Sequence, residues 1–370
     1  MEFAFHLPIN GVSFGQVSMG FLREAHKRNL SPNIFPVNPQ NIDLSTQAIS
    51  DGFKSWIEER IGKSLETHKK STPVFKLWHL NGSMESVSEK QLLFTFYELD
   101  QPTKSEINIA KNCSRVLVSS NYAKSVFENN GLDNVSFVPL YFDADNFNRK
   151  DKQYFADDRI TFNLMGKLEK RKHHGKIIKA WAKRFGREKF ANGEQKYFLQ
   201  CAIFNNFLKA EDNNALIGQF LEGKSYFNIN FLGYMAKNDL YNDFLNSGDI
   251  AICMSGGEGW GLPEFHSVAM GKHSVVLNAH SYKDWANESN SVLVSPNGTT
   301  EVYDGMFFHK GQAFNQGNIF DFDEDEFIDG CEKAIERVKE KKLNEEGLKL
   351  QEEFTLENTF DSIMSEIEKA

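Results

Sequence analysis

The sequence predicts an α/β protein built as two doubly wound parallel-sheet halves joined by a linker. Three observations carry this. Short apolar runs alternate with longer amphipathic stretches from end to end, the pattern of parallel sheets covered by helices on both faces. The chain has 370 residues, which at roughly 150 residues per domain gives two domains or slightly more. The polar, charged stretch 143–158 has no apolar periodicity and divides the pattern into two series. The boundaries that follow are 1–150 for the first half and 151–354 for the second.

In the first half the strand-like runs are 3–7, 33–37, 74–80, 92–97, 115–119 and 135–140. Helical spacing separates them at 16–28, 47–61 and 121–129, the last following the Ser119-Ser120 pair that can cap it. The second half repeats the alternation, with strands at 160–165, 196–202, 227–232, 250–254 and 274–277. From Asp323 the tail is acidic and amphipathic and reads as two or three helices. Sheets of this kind bind ligands at the carboxyl ends of their strands, so a cleft between the halves is the natural site.

Composition excludes several classes. Hydrophobic residues are 40% and charged residues 25%, so wholesale disorder and a membrane bundle are both ruled out. The 51 acidic and 42 basic side chains leave a formal charge of -9, which counts against a surface built to hold a polyanion. Cys113, Cys201, Cys253 and Cys331 form no CxxC pair and no zinc spacing, and read as reduced, mostly buried thiols. No window resembles a signal peptide or a transmembrane segment, so the expected location is cytoplasmic. The 33 phenylalanines predict cores and pockets lined by rings.

Residues 218–225, GQFLEGKS, fit the phosphate-binding expression G-x4-G-K-S. That mechanism needs a strand before and a helix after, and the order here is reversed, so Gly223 is better read as ending a helix. Gly11, Gly15 and Gly20 allow the first strand-to-helix turn to approach a ligand, or serve a plain turn. A stronger signal runs from Met165 to Gly175, where Gly166, Lys167, Lys170, Arg171 and Lys172 follow a strand and open a helix. Cations and a glycine at that junction suit a diphosphate; a solvated charge run is the competing reading. The third signal is Ser255 to His266, SGGEGWGLPEFH, between a strand and a helix. Its glycines let backbone amides face a ligand, Pro263 suits a first helical turn, and Glu258 is placed to accept from sugar hydroxyls. A tight structural turn is the alternative.

These segments resemble retaining glycosyltransferases of the GT-B fold, particularly glycosyltransferase family 4. Residues 255–266 are similar to the family's Glu-x7-Glu signature, 166–172 to its G-R-L-x-x-x-K-G diphosphate site, and Phe231-Leu-Gly-Tyr234 to its F-L-G-Y strand. The resemblance implies two Rossmann-like domains facing across a cleft, with a helix near 355–370 packing back on the first. It implies a hexosyltransferase-type enzyme that binds a nucleoside-diphosphate sugar with Gly166, Lys167, Lys172, Gly257, Glu258, Gly259, Trp260, Gly261 and Leu262; Gly15, from the first strand-to-helix turn, is the donor-side candidate read from its position alone. Lys167, Lys172 and Glu258 would carry catalysis. The family's second glutamate falls at His266, which here would have to serve the ribose contact, and its sugar-facing histidine falls at Tyr97. His79, Tyr97, Glu98 and Asp100 are the acceptor-side candidates, with a structural histidine at 79 and plain surface carboxylates at 98 and 100 as the competing readings. Asp143-x-Asp145 and Asp321-x-Asp323 superficially match the metal motif of another transferase fold but lie away from the glycine loops, so no metal or cofactor is expected. The acceptor is open among glycan, lipid, protein and modified nucleic acid, including a modified base in phage DNA. A GT-B epimerase or phosphorylase and a non-catalytic nucleotide-sugar binding protein are the remaining alternatives.

Overall fold

The computed structural model describes residues 2–150 and 158–370; residues 151–157 of the expected linker, with the expected 150/151 boundary, lie outside the described residues. The first sheet holds β1 (Ala4–Leu7), β2 (Asn33–Pro36), β3 (Val74–Leu77), β4 (Gln91–Thr95), β5 (Arg115–Val118) and β6 (Val135–Phe137) in the order β2-β1-β3-β4-β5-β6, all parallel. The second holds β7 (Ile160–Met165), β8 (Tyr197–Ala202), β9 (Ile229–Phe231), β10 (Ile250–Cys253), β11 (His273–Leu277) and β12 (Val292–Val294) in the order β12-β11-β10-β7-β8-β9, again parallel. Every residue of β4, β7, β10 and β11 is buried. Helices cover both faces, which is why these strands read as unbroken apolar runs rather than as alternations.

Helix starts follow local capping. The expected helix at 47–61 instead spans Asp51–Thr67, because Ser50 accepts from the Phe53 amide and sets its first turn. Asn121–Asn129 begins at Ser120, whose hydroxyl accepts from the Ala123 amide. Lys104–Lys111 opens on a reciprocal Thr103/Glu106 capping box. The rejected phosphate-loop match behaves as expected: Ala210–Phe220 is a helix and Gly223 follows it with φ +69.

Two features depart from the sequence reading. After β12 an antiparallel pair, β13 (Pro296–Glu301) and β14 (Asn318–Phe322), interrupts the parallel pattern. The tail forms four helices, Glu324–Glu340, Glu345–Leu348, Leu350–Glu353 and Leu356–Glu368, rather than two or three. Asn344 and Thr355 supply the extra breaks by accepting from the Gly347 and Asn358 amides. The last helix lies against the first half, where Phe360 is fully buried, Thr359 donates to the Pro139 carbonyl at 3.0 Å and Glu366 meets Arg115 at 3.0 Å. All four cysteines are buried and free, and among the described residues no helix is long and apolar enough to cross a membrane.

Candidate active site

Three loops converge where the carboxyl ends of the sheets face each other: 96–100 after β4, 166–173 after β7 and 254–261 after β10. Strands β7 and β10 are hydrogen-bonded neighbours, so the basic loop and the glycine loop rise side by side. Gly166 has φ +102, and a Cβ there would lie 2.9 Å from the Lys172 ammonium. Glycine at 166 therefore lets the Lys172 chain lie flat over the end of β7.

Lys172 is buried, with its ammonium 2.5 Å from Glu258 and 3.5 Å from Glu264. Arg171 is buried beside it and reaches Glu169 at 2.5 Å, Glu258 at 2.9 Å and, across the cleft, Glu98 at 3.2 Å. It also donates to the Gly257 carbonyl. Burial alone would raise the Glu258 carboxyl, but Arg171 and Lys172 overrule it and hold the group well below the ordinary carboxylate range. Burial opposes the charge on Lys172 as well, yet Glu258 and Glu264 keep that charge secure. Glu98 sits differently. Burial raises it, Arg171 only partly compensates, Glu258 and Glu169 add repulsion, and it stands at about 7.

The glycine loop is buried throughout. Its carbonyls are spoken for: Gly256 accepts from the Phe320 amide, Gly259 from the Ser119 hydroxyl at 2.7 Å and Trp260 from the Trp285 indole at 3.0 Å. Its amides are not. Among the described residues, the N–H groups of Gly257, Glu258, Gly259 and Trp260 find no acceptor. They precede the helix Leu262–Ala269, whose own N-terminus adds positive potential. Buried, unpaired amides at a helix start, next to a buried lysine, form an anion-binding arrangement.

The remaining sequence-predicted residues separate into two groups. Lys167 stands at the rim, 3.1 Å from Glu169 and 3.8 Å over the Phe307 ring. His79 faces it from the first half as an exposed residue, its ring tilted against Phe14 at 4.5 Å, and partial desolvation with the nearby Lys167 charge lowers its imidazole. Other residues are turned away or engaged. The Trp260 ring packs into the core on Phe265 and Phe354. Leu262 offers its carbonyl to the His266 ring, and Gly261 has φ +79 with Tyr282 packed against it. Gly15 is required by packing, since a Cβ there would fall 2.1 Å from the Asn10 carbonyl oxygen.

Three expectations need correction in position. His266, expected at a ribose, commits both ring nitrogens to backbone: Nδ1 lies 2.6 Å from the Leu262 carbonyl and Nε2 accepts from the Asp143 amide at 3.2 Å, between the Phe142 and Phe147 rings. Tyr97 points away from the cleft onto Phe127, with its hydroxyl 3.5 Å from Glu106. Extended backbone alternates faces, so the cleft side of this segment belongs to Phe96 and Glu98. Asp100 bonds the Asn318 amide at 2.7 Å and its side chain at 3.0 Å, joining the halves rather than lining open space.

Arg171, Glu169 and the 302–320 segment are the site components that sequence reasoning left unassigned. Arg171 lay within the basic cluster, but nothing in the sequence separated it from Lys170, whose ammonium only reaches the Tyr303 carbonyl at the surface. The two aspartate pairs have structural roles: Asp143 and Asp145 hold Arg23, Asp321 holds Lys176, and Asp323 caps a helix. Among the described residues no three His, Cys, Asp or Glu side chains are grouped to hold a metal ion.

No protein-family model and no curated protein sequence matches the chain. Solved structures do match. Sucrose-phosphate synthase from Thermosynechococcus elongatus superposes with a TM-score of 0.66 at 12% identity over 100% of this chain and 95% of that one. A glycosyltransferase from Rickettsia africae gives 0.64 at 13% over 100% and 98%, and Anabaena HepE, in complex with UDP and glucose, gives 0.63 at 12% over the whole of both chains. The fold is GT-B, with two Rossmann-like domains facing across a cleft.

Proposed function

We propose that this protein is a glycosyltransferase that moves a hexosyl group from a nucleoside-diphosphate sugar to an acceptor hydroxyl in the cytosol, with retention and without a metal, in the manner of family 4. The observation that carries the reading is the set of acceptor-less buried amides at Gly257 to Trp260 beside Lys172. Among the described residues nothing accepts from them, and a diphosphate matches both their donors and the lysine charge. A UDP-glucose complex of the similarly folded HepE supports a nucleotide-sugar donor.

In this scheme the anomeric C–O bond to the diphosphate breaks and the electron pair leaves on the phosphate oxygen. Lys172 and the amides stabilise that charge as it develops, in a site whose burial strengthens each interaction. The acceptor oxygen forms the new bond on the same face, and its proton passes to the leaving phosphate. Glu258, ionised and fixed between Arg171 and Lys172, accepts from donor-sugar hydroxyls. The test is release of free nucleoside diphosphate from a panel of UDP-, GDP-, ADP- and dTDP-sugars. At least one donor should stabilise the protein and be slowly hydrolysed. Binding without turnover on any acceptor would instead mark a nucleotide-sugar binding protein, and appearance of sugar phosphate would mark a phosphorylase.

A further inference from the structure

The cluster at the cleft floor contains three cations, Lys167, Arg171 and Lys172, and four carboxylates, Glu98, Glu169, Glu258 and Glu264. Three of the carboxylates come from the second half, with side chains 1%, 8% and 2% exposed. Glu98 comes from the first half and is 25% exposed. It is the member whose removal needs only that the halves separate.

Separation is required for any ligand to reach the free amides. The Glu98 carbonyl would lie 2.8 Å from a Cβ at Gly257, and the Phe96 Cβ 2.5 Å from one at Gly259. The first half is thus packed directly onto the glycine loop. When it moves back, Arg171 loses Glu98 but keeps Glu169 and Glu258. Its Nε edge, 3.2 Å from Glu98 when closed, is then exposed beside the amides. Lys167, the cation that the motif pairs with Lys172, is meanwhile held at the rim by Glu169 and the Phe307 ring. Guanidinium is the group best shaped to exchange a carboxylate for a phosphate.

We propose that Arg171 binds the donor's diphosphate and that Glu98 is its counter-ion in the unliganded protein, so that phosphate and first-half carboxylate exchange at one guanidinium. This rests on the donor reading above. The groups facing Glu98 are Arg171, Glu258, Glu169 and Lys172. With Glu98 at about 7, its competing charge is present above neutrality and fades below it.

The experiment is titration calorimetry of the full chain and of Glu98→Gln with inorganic pyrophosphate and with UDP, at pH 6 and pH 8.5. At pH 8.5 the variant should bind both ligands about tenfold more tightly, the scale of one lost charge-assisted competitor. The advantage should shrink at pH 6; taking the ratio of the two proteins cancels the ligand's own titration. Arg171→Lys in the Glu98→Gln background separates a guanidinium contact from a general loss of negative charge, and should return most of the gained affinity. Equal binding by wild type and Glu98→Gln, or a gain that Arg171→Lys leaves intact, overturns the exchange while the donor reading stands. No binding of either ligand, or of any other nucleoside diphosphate, by either protein overturns both.

Discussion

Acid should destabilise this protein through imidazoles that it buries uncharged, and His266 allows the effect to be isolated. Burial holds His266 at about 4, against an ordinary 6.5, although the nearby Asp143 carboxylate and the Leu262 carbonyl pull the other way. The folded value is depressed, so the stability this group contributes is complete above 6.5 and is lost as pH falls towards 4. A shift of that size corresponds to about 3 kcal/mol by the acid end of the window. His280, held at about 4, and His174, at about 3, are buried in the same way. Between pH 6 and 4.5 unfolding therefore takes up between two and three protons at these sites, a slope of about 3.5 kcal/mol per pH unit. In His266→Gln it should take up one fewer, lowering the slope by about 1.4 kcal/mol per pH unit whatever the variant's absolute stability. Urea unfolding followed by tryptophan fluorescence at pH steps across this window measures both slopes. Equal slopes in the two proteins would refute the reasoning, because His266 would then be protonated in the native state or titrating normally.

Lys172→Ala should lower the rate of diphosphate release by about 10²- to 10³-fold, as expected for removing one stabiliser of a developing anion, and wild-type turnover would sink the assignment. The same change strands Glu264, whose nearest cation is Lys172 at 3.5 Å, and should cost about 3–5 kcal/mol in urea unfolding. Gly259→Ala sets a methyl where Phe96 already stands, 2.5 Å away; it should hold the halves apart, seen as faster amide exchange at both loops, and unchanged protection would contradict the packing. Phe360→Ala removes a fully buried ring under the last helix and should cost about 3–5 kcal/mol, whereas Lys27→Ala, which breaks an exposed pair with Glu357, should change stability by less than about 1 kcal/mol.

The two parallel sheets were legible because strands covered on both faces leave continuous apolar runs, as in β7 and β10, and those runs need no long-range information to be seen. The glycine loop was legible for a related reason: glycine spacing between a strand and a Pro-started helix encodes local backbone geometry. The side-chain directions at 96–98 were harder. Either Tyr97 or Glu98 could face the cleft from sequence alone, and the choice is made by Phe127 and Phe14, which take Tyr97 and Phe96 respectively. His266 was misdirected by motif position, because its partner amide belongs to Asp143, 123 residues away in the chain. Short polar strands such as β13, with just one half-buried residue between its exposed Asn297 and Glu301, carry no apolar pattern at all. Their pairing with β14 exists because it presents Asn318 and Phe320 to the first half and to the glycine loop.

That last arrangement explains why the first half places acids where an acceptor pocket was expected. Asp100 holds Asn318, Glu106 accepts from the Asn315 amide at 2.9 Å, and Thr103 donates to the Ala313 carbonyl at 2.6 Å, so the 302–320 segment of the second half is gripped along one edge of the first. Glu98 continues the same row onto Arg171. The contacts of Asp100, Thr103 and Glu98 are partly exposed and each worth only about 1 kcal/mol or less once water can replace them, whereas the Glu106 carboxyl is buried. A row of such bonds closes the cleft in the absence of ligand without making it costly to open. The deeper pairs behave differently: Glu258 with Arg171 and Lys172 lies wholly within the second half and does not change when the halves part. The Glu258 pairs thus stand apart from the contacts between the halves, which combine this partly exposed row with a buried bond from the Ser119 hydroxyl to the Gly259 carbonyl at 2.7 Å.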